Sequence, residues 1–307
     1  MSGFILKRLL QAAFVLLVVT LFVSYAVRLS GDPALMLSQG AGSVTEQDLQ
    51  NIRTGLGLDR PFLVQYADFV RGLLVGDFGR SFMGGTPVRG LIADALPATL
   101  SLALVSLLLS VLVSVPLGIQ AAVNKGRRVD QFIRIISLVG LSFPNFWLAI
   151  MLVLLLSVTF QVLPPSGWDG PLSLVMPALT MAIILSATNV RLVRTAMLET
   201  LSSQYITVAR SKGLSERMVL YKHALRNCAI PLITYIGLQF GNLIGGIVVV
   251  EKVFNWPGLG TLAFEAIAGR DYPVLQASVT VLALVIVAVN LLVDLAYGLV
   301  DPRIRNK

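Results

Sequence analysis

Cysteine and histidine are nearly missing from this chain of 307 residues, which contains one of each, Cys228 and His223. A single cysteine excludes an internal disulfide and a metal site built from cysteines. A Ser–His–Asp triad would have to use His223, which lies in a strongly charged segment without an evident pocket. The HExxH pattern of zinc peptidases and the GxxxxGK[ST] phosphate loop are absent from the sequence. We therefore expect neither a metal site nor ATP hydrolysis on this chain.

Charged residues are also scarce. They make up 13% of the chain, whereas 56% of the residues are hydrophobic. Soluble domains are usually about 25% charged and about 45–50% apolar, so this composition indicates an integral membrane protein. The formal net charge of +8 is explained by basic cytoplasmic loops, without a nucleic-acid partner.

Six charge-free stretches are long enough to cross a bilayer, which takes about 20 residues. They cover residues 9–27, 95–124, 135–168, 170–190, 227–250 and 272–293. Pro164 and Pro165 are expected to break the third stretch near its end. The first resembles a signal peptide in its basic start, but its apolar run exceeds the roughly 7–15 residues of such signals. We expect it to be a retained helix.

The segments between these stretches alternate in net charge. Residues 125–134 contain four basic and one acidic residue, and residues 191–226 contain seven basic and two acidic ones. Residues 28–94, with six basic and seven acidic residues, are slightly acidic. Because basic loops stay in the cytoplasm, both termini and the segments 125–134 and 191–226 are predicted to be cytoplasmic. Acids of the kind that proton-driven carriers use are thus almost missing from the predicted membrane interior.

The outer segment 28–94 is expected to form two helices. Thr45 or Ser43 is suited to cap the first, and Asp59 is predicted to cap the second with Pro61 at its first position. An apolar stripe on the second helix indicates packing on the protein or contact with the outer membrane surface. GDFGRSF at 76–82 is expected to be a turn-rich loop. The stripe consists of Phe62, Leu63, Tyr66, Phe69, Val70, Leu73 and Leu74.

The basic segment at 191–226 is predicted to contain a short helix, a bend and a second helix. Ser202 or Ser203 would cap the first helix, Gly213 would end it in the left-handed conformation, and Ser215 would cap the second. The spacing of four apolar residues predicts one apolar face on the first helix. These residues are Tyr205, Ile206, Val208 and Ala209. A rigid element of this kind is suited to being held and moved by a soluble partner protein that supplies the energy for transport.

At this point the sequence resembles the membrane-spanning permease subunits of ABC importers. YITVARSKGLSER at 205–217, followed by HALRN at 223–227 and Pro231, is similar to the dipeptide, oligopeptide and nickel branch. The resemblance runs nearly end to end, and the long outer segment is similar to the first permease of a pair. Further matching motifs are GDP at 31–33, GDFGRSF, LPATLSLAL at 96–104, SFPNF at 142–146, VVVEKVFNWPGLG at 248–260, RDYPVLQ at 270–276 and DPRIR at 301–305.

The resemblance implies an all-α membrane protein with six transmembrane helices and the type I ABC importer permease fold. It implies an N-terminal helix and outer segment at 1–94, a permease core at 95–298 and a cytoplasmic tail at 299–307. The protein would lie in the bacterial inner membrane with a second permease, two ATPase subunits that bind ATP and magnesium, and a substrate-binding protein. It would form half of a path for peptides or a related small solute, through alternating access.

The resemblance also implies roles for particular residues. The coupling helix that docks on an ATPase would present Tyr205, Ala209, Arg210, Lys212, Gly213, Ser215 and Glu216, with support from His223, Arg226 and Asn227. An outer loop near the path or the binding protein would contain Phe254, Trp256, Pro257 and Gly258, with Trp256 facing a partner or anchored at the membrane edge. Polar residues suited to line the path are Ser137, Ser142, Asn145, Asn189, Gln239 and Asn242.

Two other interpretations remain open from the sequence. One is an ATP-independent channel or secondary carrier, and the other is a membrane-embedded enzyme. Against the first, the sequence lacks the buried acids and the visible inverted repeats of carriers. Against the second, it lacks a group of residues suited to catalysis. The sequence does not distinguish dipeptides, oligopeptides, glutathione, nickel chelates and opine-like solutes as substrates.

Overall fold

The computed structural model of the protein describes residues 2–29, 31–38 and 45–300, without the side chains of residues 2–5, 230, 231, 234, 242 and 295–300. In these ranges the regular structure is helical, apart from one isolated antiparallel bridge between Arg80 and Pro87. This agrees with the predicted all-α class. Ser43, one of two candidate caps, the side chain of Asn242 and the motif at 301–305 lie outside the described part.

The described part of the chain contains both short helices and long apolar ones. The first part of the chain forms α1 (Ser2–Leu29), α2 (Pro33–Ser38), α3 (Glu46–Gly55), α4 (Phe62–Val75) and α5 (Val88–Val123). It continues with α6 (Arg128–Ser142), α7 (Asn145–Leu152, extended by π-type turns over Val153–Thr159), a 3-10 turn (Pro171–Leu174) and α8 (Val175–Leu201). The last part forms α9 (Gln204–Ser211), α10 (Glu216–Met218, extended by π-type turns over Val219–Ala224), α11 (Leu225–Val253), α12 (Leu259–Ala268) and α13 (Tyr272–Val300).

Four helices of the described part are long and apolar enough to cross a membrane: Leu6–Leu29, Val88–Val123, Pro171–Leu201 and Tyr272–Asp294. Two bent pairs bring the number to six if each pair is one span. One pair, Arg128–Ser142 with Asn145–Thr159, bends by 102°, and the other, Tyr235–Gly241 with Leu243–Val253, bends by 51°. By length and composition, the structure is thus compatible with the six predicted spans.

The third apolar stretch contains the predicted break and a second one that was not predicted. Its helical turns end at Thr159 and residues 161–170 are non-helical, so the break expected at Pro164 and Pro165 is confirmed, whereas a sharp bend also lies at Phe143 and Pro144. Phe143 is extended, with φ −92° and ψ 132°. A residue that precedes proline is pushed out of the helical region, so Pro144 ends α6 and starts α7.

Contacts divide the chain into two compact units. Unit 1 comprises Met1–Leu100 and Trp256–Ala288, and unit 2 comprises Ser101–Asn255 and Val289–Lys307. Unit 1 contains α1 to α4 and α12, and unit 2 contains most of the apolar helices together with α9 and α10.

In unit 1, α4 packs on α1. The Tyr66 hydroxyl lies 3.0 Å from Thr20 Oγ1, and the Tyr25 and Phe62 rings meet edge to face at 5.9 Å. Most of the predicted stripe is half-buried, so the packing interpretation holds for that part of it. Leu63 and Leu74, however, are 72% and 81% exposed. These two residues lie on the outer surface of unit 1.

The helix caps of the outer segment follow the prediction at one position and depart from it at another. Thr45 and Asp48 form a capping box at α3, and the hydrogen bonds from Thr45 lower the pKa of the Asp48 carboxyl. Asp59 does not cap α4, because Pro61 is the N-cap residue and its carbonyl accepts from the amides of Val64 and Gln65. Asp59 instead accepts a hydrogen bond from Thr54 Oγ1 at 3.2 Å.

Three sequence motifs of unit 1 meet at the start of α13. The Asp271 carboxylate accepts from the hydroxyl of Ser81 and from the backbone amide of Phe82. Tyr272 donates to the carbonyl of Gly31 at 2.5 Å, and Arg270 donates to the carbonyl of Asp32 at 3.2 Å. The GDP, GDFGRSF and RDYPVLQ motifs are thereby explained as parts of one hydrogen-bonded cluster.

Unit 2 is held together by close helix contacts and a buried apolar cluster. A Cβ atom built on Gly118 of α5 would lie 2.5 Å from Val193 Cβ of α8, so these helices cross without room for a methyl group. Cys228 is 1% exposed and packs in this cluster. The cluster around it joins α5, α8, α9, the π-type turns and α11, and consists of Ile119, Ala122, Val193, Met197, Ile206, Ala209, Val219, Ala224, Cys228 and Leu232.

Candidate functional site

The predicted docking element, α9 with the bend and α10, lies against the apolar cluster of unit 2. Ile206 is fully buried, and Ala209 is 8% exposed. The prediction that four apolar residues of α9 share one face is therefore wrong in part, because the side chains of Tyr205 and Val208 are 41% and 52% exposed. Residues three apart share a face of a helix, so Ile206 and Ala209 point inward while Tyr205 and Val208 point outward.

Gly213 terminates α9 in the predicted way. Its φ of +77° is left-handed, which favours glycine. The Gly213 amide donates to the carbonyl of Arg210 at 2.9 Å, and the Leu214 amide donates to that of Ala209 at 3.4 Å. This pair of bonds is a Schellman motif, which satisfies the last carbonyls of the helix and fixes the direction of the chain beyond it.

The predicted serine caps have the right positions but not the predicted side-chain bonds. Ser203 and Ser215 are the N-cap residues of α9 and α10, yet neither side chain caps its helix. The Ser203 hydroxyl donates to the carbonyl of Thr200 at 2.6 Å, at the end of α8. Backbone carbonyls accept at both caps, since the amides of Ile206 and Val219 donate to Ser203 and Ser215 respectively.

The outward side of this element is polar and charged. The Arg210 guanidinium donates from Nε and Nη2 to the two carboxylate oxygens of Glu216, at 2.8 and 3.3 Å. This ion pair connects the two sides of the bend. We call the exposed members of the predicted docking set the α9–α10 surface; they are Tyr205, Arg210, Lys212, Gly213, Ser215 and Glu216. Ala209, also predicted for docking, contacts the core of its own chain instead, where its small side chain lets α9 lie close.

Only one of the three predicted support residues makes a hydrogen bond to α9 in the described part of the chain. Asn227 Nδ2 donates to the Tyr205 hydroxyl at 2.6 Å. His223 is half-buried, and Arg226 is exposed. The start of α11 is thus connected directly to the outward face of α9.

The predicted outer loop contains buried aromatic side chains. Trp256 is fully buried in unit 1, where its indole Nε1 donates to the carbonyl of Ala98 at 2.9 Å. The prediction of a ring facing a partner or the membrane edge is therefore wrong, because this large ring fills the interior and its single donor is satisfied there. Phe254 is 1% exposed in unit 2. Pro257 is exposed and Gly258 is buried.

The candidate path-lining residues do not share one environment. Ser137, Asn189 and Gln239 are buried among the helices of unit 2, with Asn189 Nδ2 donating to Ser110 Oγ at 2.9 Å. Ser142 is exposed and Asn145 is half-buried. The structure thus leaves Ser142 and Asn145 nearer the surface of this chain.

A buried ion pair in unit 2 escaped the sequence analysis. Asp130 is 1% exposed and accepts from Arg194 Nε at 2.6 Å and Nη2 at 2.8 Å, and also from the Gly126 amide at 2.9 Å. The pair connects the first turn of α6 with the last third of α8. One feature of the sequence could have indicated this pair: Asp130 is the single acidic residue in the segment 125–134, which contains four basic residues.

The comparisons with known proteins assign the family. The family described as binding-protein-dependent transport system inner membrane component matches residues 114–306, and the N-terminal family of such membrane components matches residues 1–103. The chain belongs to this permease family. It is a multi-pass inner membrane protein. Family membership supports the importer interpretation and not the channel or carrier alternative.

Relatives of this permease match over its full length. The glutathione transport system permease protein GsiC of Salmonella typhimurium is 40% identical over 308 residues, covering 100% of both chains. A putative peptide transport system permease protein of Brucella abortus is 41% identical over 314 residues, covering 99% of both chains. Similarity to the peptide branch of ABC importer permeases is thereby confirmed.

A solved structure confirms the fold. An inward-facing structure of the MetNI methionine ABC transporter contains a chain that superposes with a TM-score of 0.61 at 17% identity. The match covers 69% of this permease and 96% of that chain. The predicted type I importer permease fold is therefore shown, while the orientation of the termini stays a prediction.

Proposed function

We propose that this permease forms half of the translocation path of an ATP-driven importer, and that its α9–α10 surface docks on a cytoplasmic ATPase subunit. The observation that carries the proposal is a short helix with one side buried in the permease and the other exposed and charged. Ile206 and Ala209 fix it to the apolar cluster. Exposed charges steer and orient a partner, while a rigid anchor transmits its movement.

The buried cluster suggests how movement would spread. It contains residues of α5, α8, α9 and α11, so a shift of α9 acts on the ends of three long helices together. Closely packed interiors transmit strain. In the proposed cycle, ATP-driven closure of two ATPase subunits pushes α9, and the permease changes from inward-facing to outward-facing. ATP and magnesium bind to those subunits, and this chain supplies no hydrolytic group.

The proposed partners are a second, homologous permease, two ATPases and a periplasmic or lipid-anchored binding protein that delivers the substrate. We infer peptides as the substrate class, because the similar proteins include a glutathione permease and putative peptide permeases. We also propose that the chain is divided into an N-terminal helix with the outer segment (1–94), a permease core (95–298) and a tail (299–307). In this arrangement both termini and the α9–α10 surface lie in the cytoplasm. The alternation of loop charge supports this orientation.

The docking proposal is tested by Gly213→Asp. Space beyond Gly213 is open, so the substitution adds a charge to the surface and strains a left-handed residue without a clash inside the permease. We expect substrate uptake to fall at least about tenfold, equivalent to about 1.4 kcal/mol, with co-purification of the ATPases reduced. The measurements are uptake by whole cells and the amount of ATPase that accompanies the permease.

Gly76→Asp is the matched control. Gly76 also ends a helix with a left-handed φ of +74° in open space, and the amides of Gly76 and Asp77 donate to Leu73 and Gly72 in the same Schellman pattern. Its helix, α4, belongs to the segment predicted to be outside. Gly213→Asp and Gly76→Asp thus introduce the same kind of backbone strain and the same charge. They differ in that only residue 213 lies on the proposed docking surface. Normal uptake and ATPase association in Gly213→Asp would overturn the assignment.

A further inference from the structure

A groove of about 430 Å³ lies between α6 and α8 in unit 2. It is lined by Gln131, Arg134, Ile135, Leu138 and Arg191. The four residues of α6 have the spacing i, i+3, i+4 and i+7, so they form one face of that helix. Arg191 closes the groove from α8.

The two arginines of this groove are not neutralised by the chain itself. The nearby Asp130 carboxylate is held by Arg194 on both oxygens, and Gly126 donates to one of them. Within the described residues, neither the Arg134 nor the Arg191 guanidinium has a hydrogen bond or an ion pair. Because Arg194 and Asp130 neutralise each other, the groove keeps the two positive charges of Arg134 and Arg191. Both of these side chains are exposed.

The remaining wall of the groove is apolar and open. Ile135 is 60% exposed and Leu138 is 61% exposed. Leu138 follows Arg134 by four residues, which places it one helical turn further along the same face. A ligand that fits this wall has an anionic end beside the arginines and an apolar chain along α6.

The arginines stand at the border of the apolar stretches. Arg134 immediately precedes the charge-free stretch 135–168, and Arg191 immediately follows the charge-free stretch 170–190. The ends of two spans in the same unit are thus marked by cations that face one groove. At such borders long basic side chains reach out of the apolar region toward the lipid phosphates.

We propose that this groove binds an anionic phospholipid, with the phosphate between Arg134 and Arg191, the Gln131 amide as a further donor, and an acyl chain on Ile135 and Leu138. Basic pockets between helices on the cytoplasmic side of a membrane recognise anionic headgroups in this way. A protein partner at the same place would have to bring acidic residues, because two unpaired guanidinium groups resist burial without counter-charges. The proposal is independent of the docking of ATPases.

The test is native mass spectrometry of the delipidated full-length permease, with the subunits that accompany it, titrated with phosphatidylglycerol or phosphatidylcholine. We expect the wild-type protein to prefer phosphatidylglycerol. The double variant Arg134→Gln/Arg191→Gln should bind it about tenfold more weakly, since each basic residue adds to the attraction for anionic lipid. The control, Arg127→Gln/Arg128→Gln, removes the same charge from exposed residues outside the groove lining and should retain the preference.

Several results would overturn the proposal. Equal phosphatidylglycerol affinity of the groove variant and the wild type would show that the arginines do not bind the headgroup. Equal binding of the two lipids by the wild type would show no anion recognition. Displacement of the lipid by inorganic phosphate would identify a site for soluble anions, and displacement by a peptide with a free carboxyl terminus would identify a site on the substrate path. Thermal unfolding of both double variants reports whether each is folded.

Discussion

At the scale of single residues, the most informative side chains are polar groups with satisfied partners in the interior. The Asp130–Arg194 pair is one, and the indole of Trp256 is another. Sequence reasoning gave Thr45 as one of two candidate caps, because a cap and the helix that it starts are neighbours in the chain. It missed Asp130 and misplaced Trp256, since their partners, Arg194 and Ala98, lie 64 and 158 positions away.

The stability of unit 2 should depend on the buried ion pair. We expect Asp130→Asn to destabilise the protein by about 3 kcal/mol, because it leaves a largely buried guanidinium without its counter-charge. The Arg194 side chain is 19% exposed and that of Asp130 only 1%. Thermal or denaturant unfolding in detergent measures the effect.

Asp68→Asn is the control for this prediction. Asp68 pairs with Arg60, but both side chains are nearly half exposed, and surface pairs contribute about 0–1 kcal/mol. We expect little change in this variant. Similar loss of stability in Asp68→Asn and Asp130→Asn would show that burial does not distinguish the two pairs.

At the scale of helices, glycine decides how closely neighbouring elements approach. A Cβ atom on Gly237 of α11 would lie 2.5 Å from Val293 Cγ2 and 2.9 Å from its Cγ1. On the same helix, a Cβ atom on Gly245 would meet nothing within 4 Å. The sequence shows both residues as glycines in an apolar stretch, and only the packing tells them apart.

Gly237→Ala should therefore destabilise the protein by about 1–3 kcal/mol through overpacking, whereas Gly245→Ala should be neutral or stabilising by up to about 1 kcal/mol. Adding Val293→Ala to Gly237→Ala removes both clashing γ-carbons and should recover part of the loss. The measurement is the free energy of unfolding of each variant. The values for Gly237→Ala, Val293→Ala and the double variant, each relative to the wild type, give the coupling energy between the two residues. A coupling energy of zero would contradict the close contact of α11 with α13.

At the scale of the whole molecule, the alternation of loop charge predicts which segments lie on which side of the membrane. The only native cysteine is buried at 1% exposure, so labelling of introduced cysteines is readily interpreted. Arg71 on α4 and Arg217 on α10 are both exposed cationic positions. They belong to segments predicted to lie on opposite sides.

In a Cys228→Ser background, Arg71→Cys should react with a membrane-impermeant maleimide in intact spheroplasts, and Arg217→Cys should react only after the membrane is permeabilised. Labelling of both after permeabilisation shows that each position is accessible. Reaction of Arg217→Cys in intact spheroplasts would contradict the cytoplasmic position of the α9–α10 surface.

The sequence alone determined the features that depend on composition and local order. Scarce charge and long apolar runs indicated a membrane protein, glycine at 213 predicted the end of α9, and the motifs along the chain indicated the permease family. Tertiary structure decided which face of α9 is buried, where Trp256 lies, that Asp130 meets Arg194, and that Arg134 and Arg191 share one groove. These features depend on contacts between distant parts of the chain, and the spacing of residues along the sequence does not encode which surfaces the packed helices bury.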